Sequence, residues 1–162
     1  MAYARRGVLA LDLALRVGWA FGLDADAAPH CGVWVLPSAA DLGRRYAALG
    51  NELADALALH QPRLVLMEAP LVRQDNSARL LLGLAAHVES TCYRWGVECR
   101  EAHSAKVRKA VLGRGTFPKG TAKAAVLAWC AGQGWPVPDD NAADACLVWA
   151  YARQERQQRR PA

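Results

Sequence analysis

The first 36 residues contain three short apolar segments that lie too close together to be joined by helices. Residues 7–13 are GVLALDL, residues 17–23 are VGWAFGL, and residues 31–36 are CGVWVL. The first connection is a short turn, and the second is rich in Asp, Ala and Pro, which is typical of a loop. Consecutive strands with short connections pair in antiparallel fashion. The sequence therefore predicts that the chain begins with an antiparallel three-stranded meander.

Alternating helical and strand patterns follow this meander. Apolar residues at three- and four-residue steps, which are Leu42, Tyr46, Leu49, Leu53 and Leu57, predict an amphipathic helix from Ser38, as its N-cap, to about His60. The apolar run at 63–68 fits a fully buried strand. Further elements are expected in the order helix 76–95, strand 97–100, and helices 104–112, 121–132 and 140–157. This order predicts an α/β fold with a five-stranded mixed sheet flanked by helices.

Length and composition indicate a single globular domain. The chain has 162 residues, of which 53% are hydrophobic and 22% charged, and one domain is expected over 1–162 with an Arg/Gln-rich tail from about 153. No segment approaches the roughly 18 uninterrupted apolar residues of a membrane span, and Asp12 interrupts the N-terminal apolar run. We therefore expect a cytoplasmic protein. The five cysteines show no C-x-x-C spacing, which favours reduced thiols over a zinc ribbon.

Three acidic residues stand in apolar surroundings. Asp12 lies in LALDLA, Glu68 ends the run LVLME, and Asp144 lies in a helical pattern of Ala, Cys, Leu and Val. Buried carboxylates are costly unless they are paired, protonated or bound to a metal. A single such residue would more often be solvated or cap a helix. Since two of the three end strands, where α/β folds place their sites, we favour a shared site over independent structural roles.

Carboxylates without clustered His or Cys suit hard cations, so the cofactor expected at this site is Mg²⁺ or Mn²⁺. A fourth ligand is expected from PDDNAADA at the start of the last helix. Asp140 and Asn141 lie four and three residues before Asp144, so both can share its helix face. For Asp140, metal binding and helix capping are equally favoured, whereas Asp139 is expected mainly to cap the helix.

A basic segment at 106–123 contains no acidic residue. Together with the net charge of +5, it favours a polyanionic partner, although a solvated helix face followed by a glycine turn is the alternative. Gly113 and Gly115 would allow close approach of a phosphate. The candidate DNA contacts, which include two arginines and one leucine outside this segment, are Arg16, Leu71, Arg73, Lys106, Arg108, Lys109, Arg114, Lys119 and Lys123.

Four segments in the same order are similar to those of RuvC-type Holliday-junction resolvases in the RNase H-like superfamily. LALDLALRVGWA resembles the first hairpin of that family, and LVLMEAP its central strand with the catalytic Glu. VRKAVLGRGTFPK resembles a basic family segment, and DNAADACLVW resembles the helix-borne acidic pair. Each segment alone is weakly specific, but the ordered set extends from about residue 8 to 152.

The resemblance implies a metal-dependent endonuclease that cuts four-way or branched DNA as a homodimer, with two ions in each active site. It implies metal-binding roles for Asp12, Glu68 and Asp144, and active-site or DNA-backbone roles for Arg108 and Lys119. Lys119 is therefore also a catalytic candidate. Leu71 occupies the place where the resemblance puts an apolar residue near the branch point, although ordinary loop packing is favoured. Asn141 stands where the family has an acid or His, which leaves the fourth ligand open.

Three rival functions remain. The first is an RNase H-like nuclease that acts on flaps or RNA–DNA hybrids. The second, motivated by Asn141, is a catalytically weakened protein that binds junctions without cutting them. The third is a fragment of the sugar-kinase and actin-like ATPase superfamily, whose first hairpin also begins with a strand Asp. The short length and the lack of a glycine-rich phosphate loop after Asp12 argue against the third.

Overall fold

A five-stranded mixed sheet forms the centre of the molecule. The structure, a computed structural model, describes residues 5–38, 41–71 and 77–159. Its strands are β1 (Val8–Asp12), β2 (Arg16–Gly22), β3 (His30–Val35), β4 (Leu64–Glu68) and β5 (Glu98–Ala102). Its helices are α1 (Leu42–His60), α2 (Ser77–Trp95), α3 (Ser104–Leu112), α4 (Ala122–Gly132) and α5 (Asp140–Arg159). The predicted order of elements is confirmed.

The strands are arranged in the order β3-β2-β1-β4-β5. The pairs β1–β2 and β2–β3 are antiparallel, as predicted for the meander. The pairs β1–β4 and β4–β5 are parallel, because α1 and α2 carry the chain back across the sheet before each new strand. The carboxyl ends of β1 and β4 therefore meet at one edge.

Alternation along the central strands divides the apolar side chains between two cores. Leu9 and Leu11 of β1 pack in a core with α1 and α2, whereas Val8 and Ala10 pack in a core with α3, α4 and α5. The same alternation holds in β4, where Leu64 and Leu66 face α5. Because side chains alternate with a period of two, Asp12 and Glu68 belong to the α5 side of the sheet.

Helix α5 is buried along its first half and lies against β1 and β2. A continuous apolar run from Ala145 to Ala152 is buried there, including Trp149, whose Nε1 donates a hydrogen bond to the Gly22 carbonyl oxygen at 3.1 Å. Gly18 of β2 permits this approach, since a Cβ at that position would overlap the carbonyl oxygen of Asn141. The start of α5 is thereby fixed against the strand that follows Asp12.

The predicted N-cap of α1 is wrong. Helix α1 begins at Leu42, and its cap is Asp41, whose Oδ1 accepts a hydrogen bond from the Arg44 backbone N–H at 2.8 Å. Ser38 precedes the helix by several residues. Asp and Ser both accept well from the free N–H groups of a first turn, so the leucine pattern alone did not distinguish them. The other predicted boundaries agree with the observed ones to within two residues.

The cysteines at 31, 92, 99, 130 and 146 are all free thiols, as expected. Among the described residues, no helix is long and apolar enough to cross a lipid bilayer.

Candidate functional site

Three acidic side chains converge where β1, β4 and α5 meet. Asp12 and Glu68 are the last residues of β1 and β4, which are adjacent and parallel. Asp144 lies in the second turn of α5 and is 9% exposed. The fold thus brings together the three carboxylates singled out in the sequence, which we call the acidic cluster (Asp12, Glu68 and Asp144).

Burial and mutual repulsion disfavour the charged forms of these carboxyls. Burial, followed by the charges of Asp144 and Glu68, raises the pKa of Asp12 to about 8. Burial and the charge of Asp144 raise the pKa of Glu68 to about 7. Burial also raises the pKa of Asp144 above its ordinary value. Carboxyls perturbed together in this way are typical of functional sites.

Two side chains of α3 moderate this repulsion. The positive charge of Arg108 partly offsets the rise in the pKa values of Glu68 and Asp144. The Ser104 hydroxyl does the same for Glu68 through a hydrogen bond. Arg108 was an expected active-site cation, and the structure places its charge near the acidic cluster. Ser104 was expected only as a helix start. Its contact with Glu68 joins two elements distant in sequence, so no local pattern in the sequence indicated it.

Three polar residues at the start of α5 have different partners. Asp139 caps the helix, because its Oδ1 accepts a hydrogen bond from the Ala142 N–H at 3.0 Å. This agrees with the capping role expected for Asp139 and shows that the alternative of Asp140 as cap is wrong. Asp140 forms an ion pair with Lys123. The side-chain amide of Asn141 donates to Asp139 Oδ2 at 3.4 Å.

The acidic cluster supplies the oxygen ligands that a hard divalent cation requires. Bound positive charge would relieve both the repulsion and the burial cost that raise these pKa values. Among the described residues, no three His, Cys, Asp or Glu side chains lie close enough to form a finished metal site. The donor set therefore fits Mg²⁺ or Mn²⁺ in chemistry, and side-chain adjustment is required to complete coordination.

Three of the other candidate DNA contacts lie against different side chains. Arg16 forms an ion pair with Asp139, with 2.9 Å between the guanidinium nitrogen and Oδ2. Lys106 forms an ion pair with Glu155, with 3.9 Å between Nζ and Oε1. The Arg114 guanidinium lies over the Phe117 ring at 4.7 Å. The other two lysines of the basic segment outside α4, Lys109 and Lys119, are exposed.

Two candidate DNA contacts, Leu71 and Arg73, follow β4 in the sequence. Leu71 is 61% exposed, and its contact with DNA stays a prediction. Arg73 lies outside the described residues.

Comparison with known proteins identifies the fold. No protein-family model matches the sequence. The crossover junction endodeoxyribonuclease RuvC of Zymomonas mobilis is 35% identical over 108 residues, which span 66% of this chain and 64% of that protein. The structure of Thermus thermophilus RuvC matches with a TM-score of 0.74 at 19% identity, covering 94% of this chain and 96% of that one.

The chain has the RuvC fold.

Two further structures agree with this assignment. Thermus thermophilus RuvC in complex with a Holliday junction substrate matches with a TM-score of 0.75 at 17% identity, covering 94% of this chain and 96% of that one. The yeast mitochondrial Holliday junction resolvase Ydc2 matches with a TM-score of 0.67 at 16% identity, covering 96% and 82%. The resemblance to RuvC-type resolvases and the predicted RNase H-like fold are therefore confirmed.

Proposed function

We propose that this chain is a metal-dependent, structure-selective endonuclease that cleaves phosphodiesters in four-way or branched DNA. The observation that supports this most strongly is the convergence of Asp12, Glu68 and Asp144 within a RuvC fold. Buried carboxylates that repel one another destabilise a fold unless a bound cation or proton compensates them. Their position at the carboxyl ends of two parallel strands is also where α/β proteins commonly bind ligands.

Asp12, Glu68 and Asp144 would hold Mg²⁺ or Mn²⁺, and Asp140 or Asn141 would complete the ligand set. When bound, two such ions supply an activated water and stabilise the leaving oxygen of a phosphodiester. The chain's own contribution is to position the ligands. The hydrogen bond from Ser104 and the charge of Arg108 favour the ionised form of Glu68, and the charge of Arg108 does the same for Asp144.

Phosphate contacts are proposed for the basic segment. Lys109 on α3, and Arg114 and Lys119 in the following loop, are exposed. Such side chains bind the DNA backbone by replacing condensed counterions, which makes affinity sensitive to salt. A RuvC of the same fold has been solved with a Holliday junction substrate, and this supports branched DNA as the partner. By the same analogy we propose a homodimer whose two sites cut symmetrically.

A catalytically weakened junction-binding protein is the second candidate function. It is favoured by Asn141, which stands where the family has an acid or His, and by the ion pair that occupies Asp140. Such a protein would bind a four-way junction in a salt-sensitive manner but would not cut it in Mg²⁺ or Mn²⁺.

A substrate panel separates these functions. Purified chain is incubated with equal concentrations of a synthetic four-way junction, a flap, a linear duplex and an RNA–DNA hybrid, in Mg²⁺, Mn²⁺ or EDTA. We expect metal-dependent cutting of the junction at paired positions on opposite strands. Preferential cutting of the flap or the hybrid would assign the other nuclease activity, and binding without cutting in either metal would assign the junction-binding function.

A further inference from the structure

Lys123 places an ammonium group beside the acidic cluster. It lies in the first turn of α4 and donates a hydrogen bond to Asp140 Oδ2 in an ion pair. Its positive charge partly offsets the rise in the pKa values of Asp12 and Asp144, whereas the charge of Asp140 adds to that rise. One lysine therefore acts electrostatically on carboxylates from β1 and from two successive turns of α5.

This lysine differs from the neighbouring cations. Among the described residues, Lys123 is the only cation that forms an ion pair with a candidate metal ligand; Arg16 and Lys106 pair with Asp139 and Glu155 instead. The Lys123 side chain is 61% exposed, and that of Asp140 is 34% exposed. The pair therefore lies at the solvent side of the site, where a flexible lysine can leave without unpacking the core.

A lysine ammonium and a divalent cation are attracted by the same negative potential. Binding of either one reduces the repulsion among the carboxylates, so the two compete wherever they share a ligand. Asp140 is that shared group, because its Oδ2 accepts from Lys123 while its position in the helix leaves it one turn from Asp144.

We propose that Lys123 is a tethered counter-ion of the acidic cluster. Its ammonium group pairs with Asp140 in the metal-free chain and must leave Asp140 when a divalent cation binds. This inference rests on the proposed metal site and deepens it. It explains how the cluster is tolerated before metal arrives, and it makes Asp140, released from Lys123, the fourth ligand.

Metal binding and metal-free stability test the proposal without any cleavage assay. Calorimetric titration with Mn²⁺ is carried out on the wild-type chain, Lys123→Met, Asp140→Asn and the double variant. Lys109→Met is the matched control, since it removes an equal charge from an exposed position with no ion pair among the described residues. Thermal unfolding of the same proteins in EDTA measures the counter-ion effect.

We expect Lys123→Met to lower the Kd for Mn²⁺ by about threefold to tenfold, because a competing charge is removed and Asp140 is released. Asp140→Asn in the same background should abolish this gain. In EDTA at about pH 8, the Tm of Lys123→Met should fall below that of Lys109→Met.

An unchanged or raised Kd in Lys123→Met would overturn the tethered counter-ion while leaving the metal site standing. A gain that persists in the double variant would overturn the assignment of Asp140 as the released ligand. If the wild-type chain binds no Mn²⁺, both this inference and the proposed metal site fail.

Discussion

Among the individual residues, Asp12 carries the largest perturbation in the acidic cluster. Burial raises its pKa to about 8 from 3.8, with further contributions from the charges of Asp144 and Glu68. Between those two values the folded chain binds more protons than the unfolded chain. The contribution of Asp12 to the free energy of unfolding of the metal-free protein therefore decreases as pH rises through this window.

The variant Asp12→Asn isolates this effect. An amide resembles the protonated carboxyl and does not titrate, so the variant should match the wild type at about pH 4 and exceed its stability at about pH 9. The expected gain at the higher pH is on the order of 1–3 kcal/mol, because neighbouring carboxyls share the titration. Thermal unfolding in EDTA across this range measures it. Parallel Tm curves for the two proteins would contradict the burial of a strained carboxyl at position 12.

Among the strands and helices, the features predicted correctly from the sequence are those in which a pattern repeats along one element. The alternation in β1 and the apolar spacing in α1 predicted the elements and their buried faces. Contacts between distant elements were not predicted. The hydrogen bond between Ser104 and Glu68 and the ion pair between Lys123 and Asp140 depend on how α3 and α4 pack, and no local periodicity encodes that packing.

The beginning of α1 offers a direct test of one corrected boundary. Asp41→Ala removes the hydrogen bond to the Arg44 N–H and should lower the free energy of unfolding by about 1 kcal/mol. Ser38→Ala is the matched control and should leave it unchanged within about 0.5 kcal/mol. Urea unfolding monitored by circular dichroism compares the two. A larger loss in Ser38→Ala would restore the original prediction of the cap.

The contact between β2 and α5 determines where Asp144 stands relative to Asp12. Gly18→Ala would force the Asn141 carbonyl away from β2, and we expect a loss of about 1–3 kcal/mol in stability together with weaker Mn²⁺ binding. Gly50→Ala is the matched control, because nothing lies within 4 Å of its added Cβ in the interior of α1. That variant should gain roughly 0.5–1 kcal/mol and bind Mn²⁺ normally. Normal Mn²⁺ binding by Gly18→Ala would show that the site does not depend on this contact.

For the molecule as a whole, the mixed sheet explains why one edge carries the site. Antiparallel pairing in the meander and parallel pairing of β1 with β4 place the ends of β1 and β4 together, and α5 covers the same face. The two cores lie on either side of the sheet, so the acidic cluster is positioned by elements with extensive burial. The fold was predictable because the order of elements is specific. The fourth ligand was not, because Asp140 and Asn141 both share the helix face of Asp144 and the ion pair of Asp140 with Lys123 depends on how α4 packs.

Cleavage of a four-way junction by acidic-cluster variants tests the central claim most directly. Wild-type chain, Asp12→Asn, Asp144→Asn and the control Glu52→Gln, an exposed carboxylate on α1, are compared in Mg²⁺ and Mn²⁺, with junction binding measured separately in EDTA. We predict that both cluster variants bind the junction but cut it at least about 100-fold more slowly, because several kcal/mol of transition-state stabilisation depend on bound metal. The control should cut at the wild-type rate. Undiminished cutting by Asp12→Asn or Asp144→Asn would contradict the account.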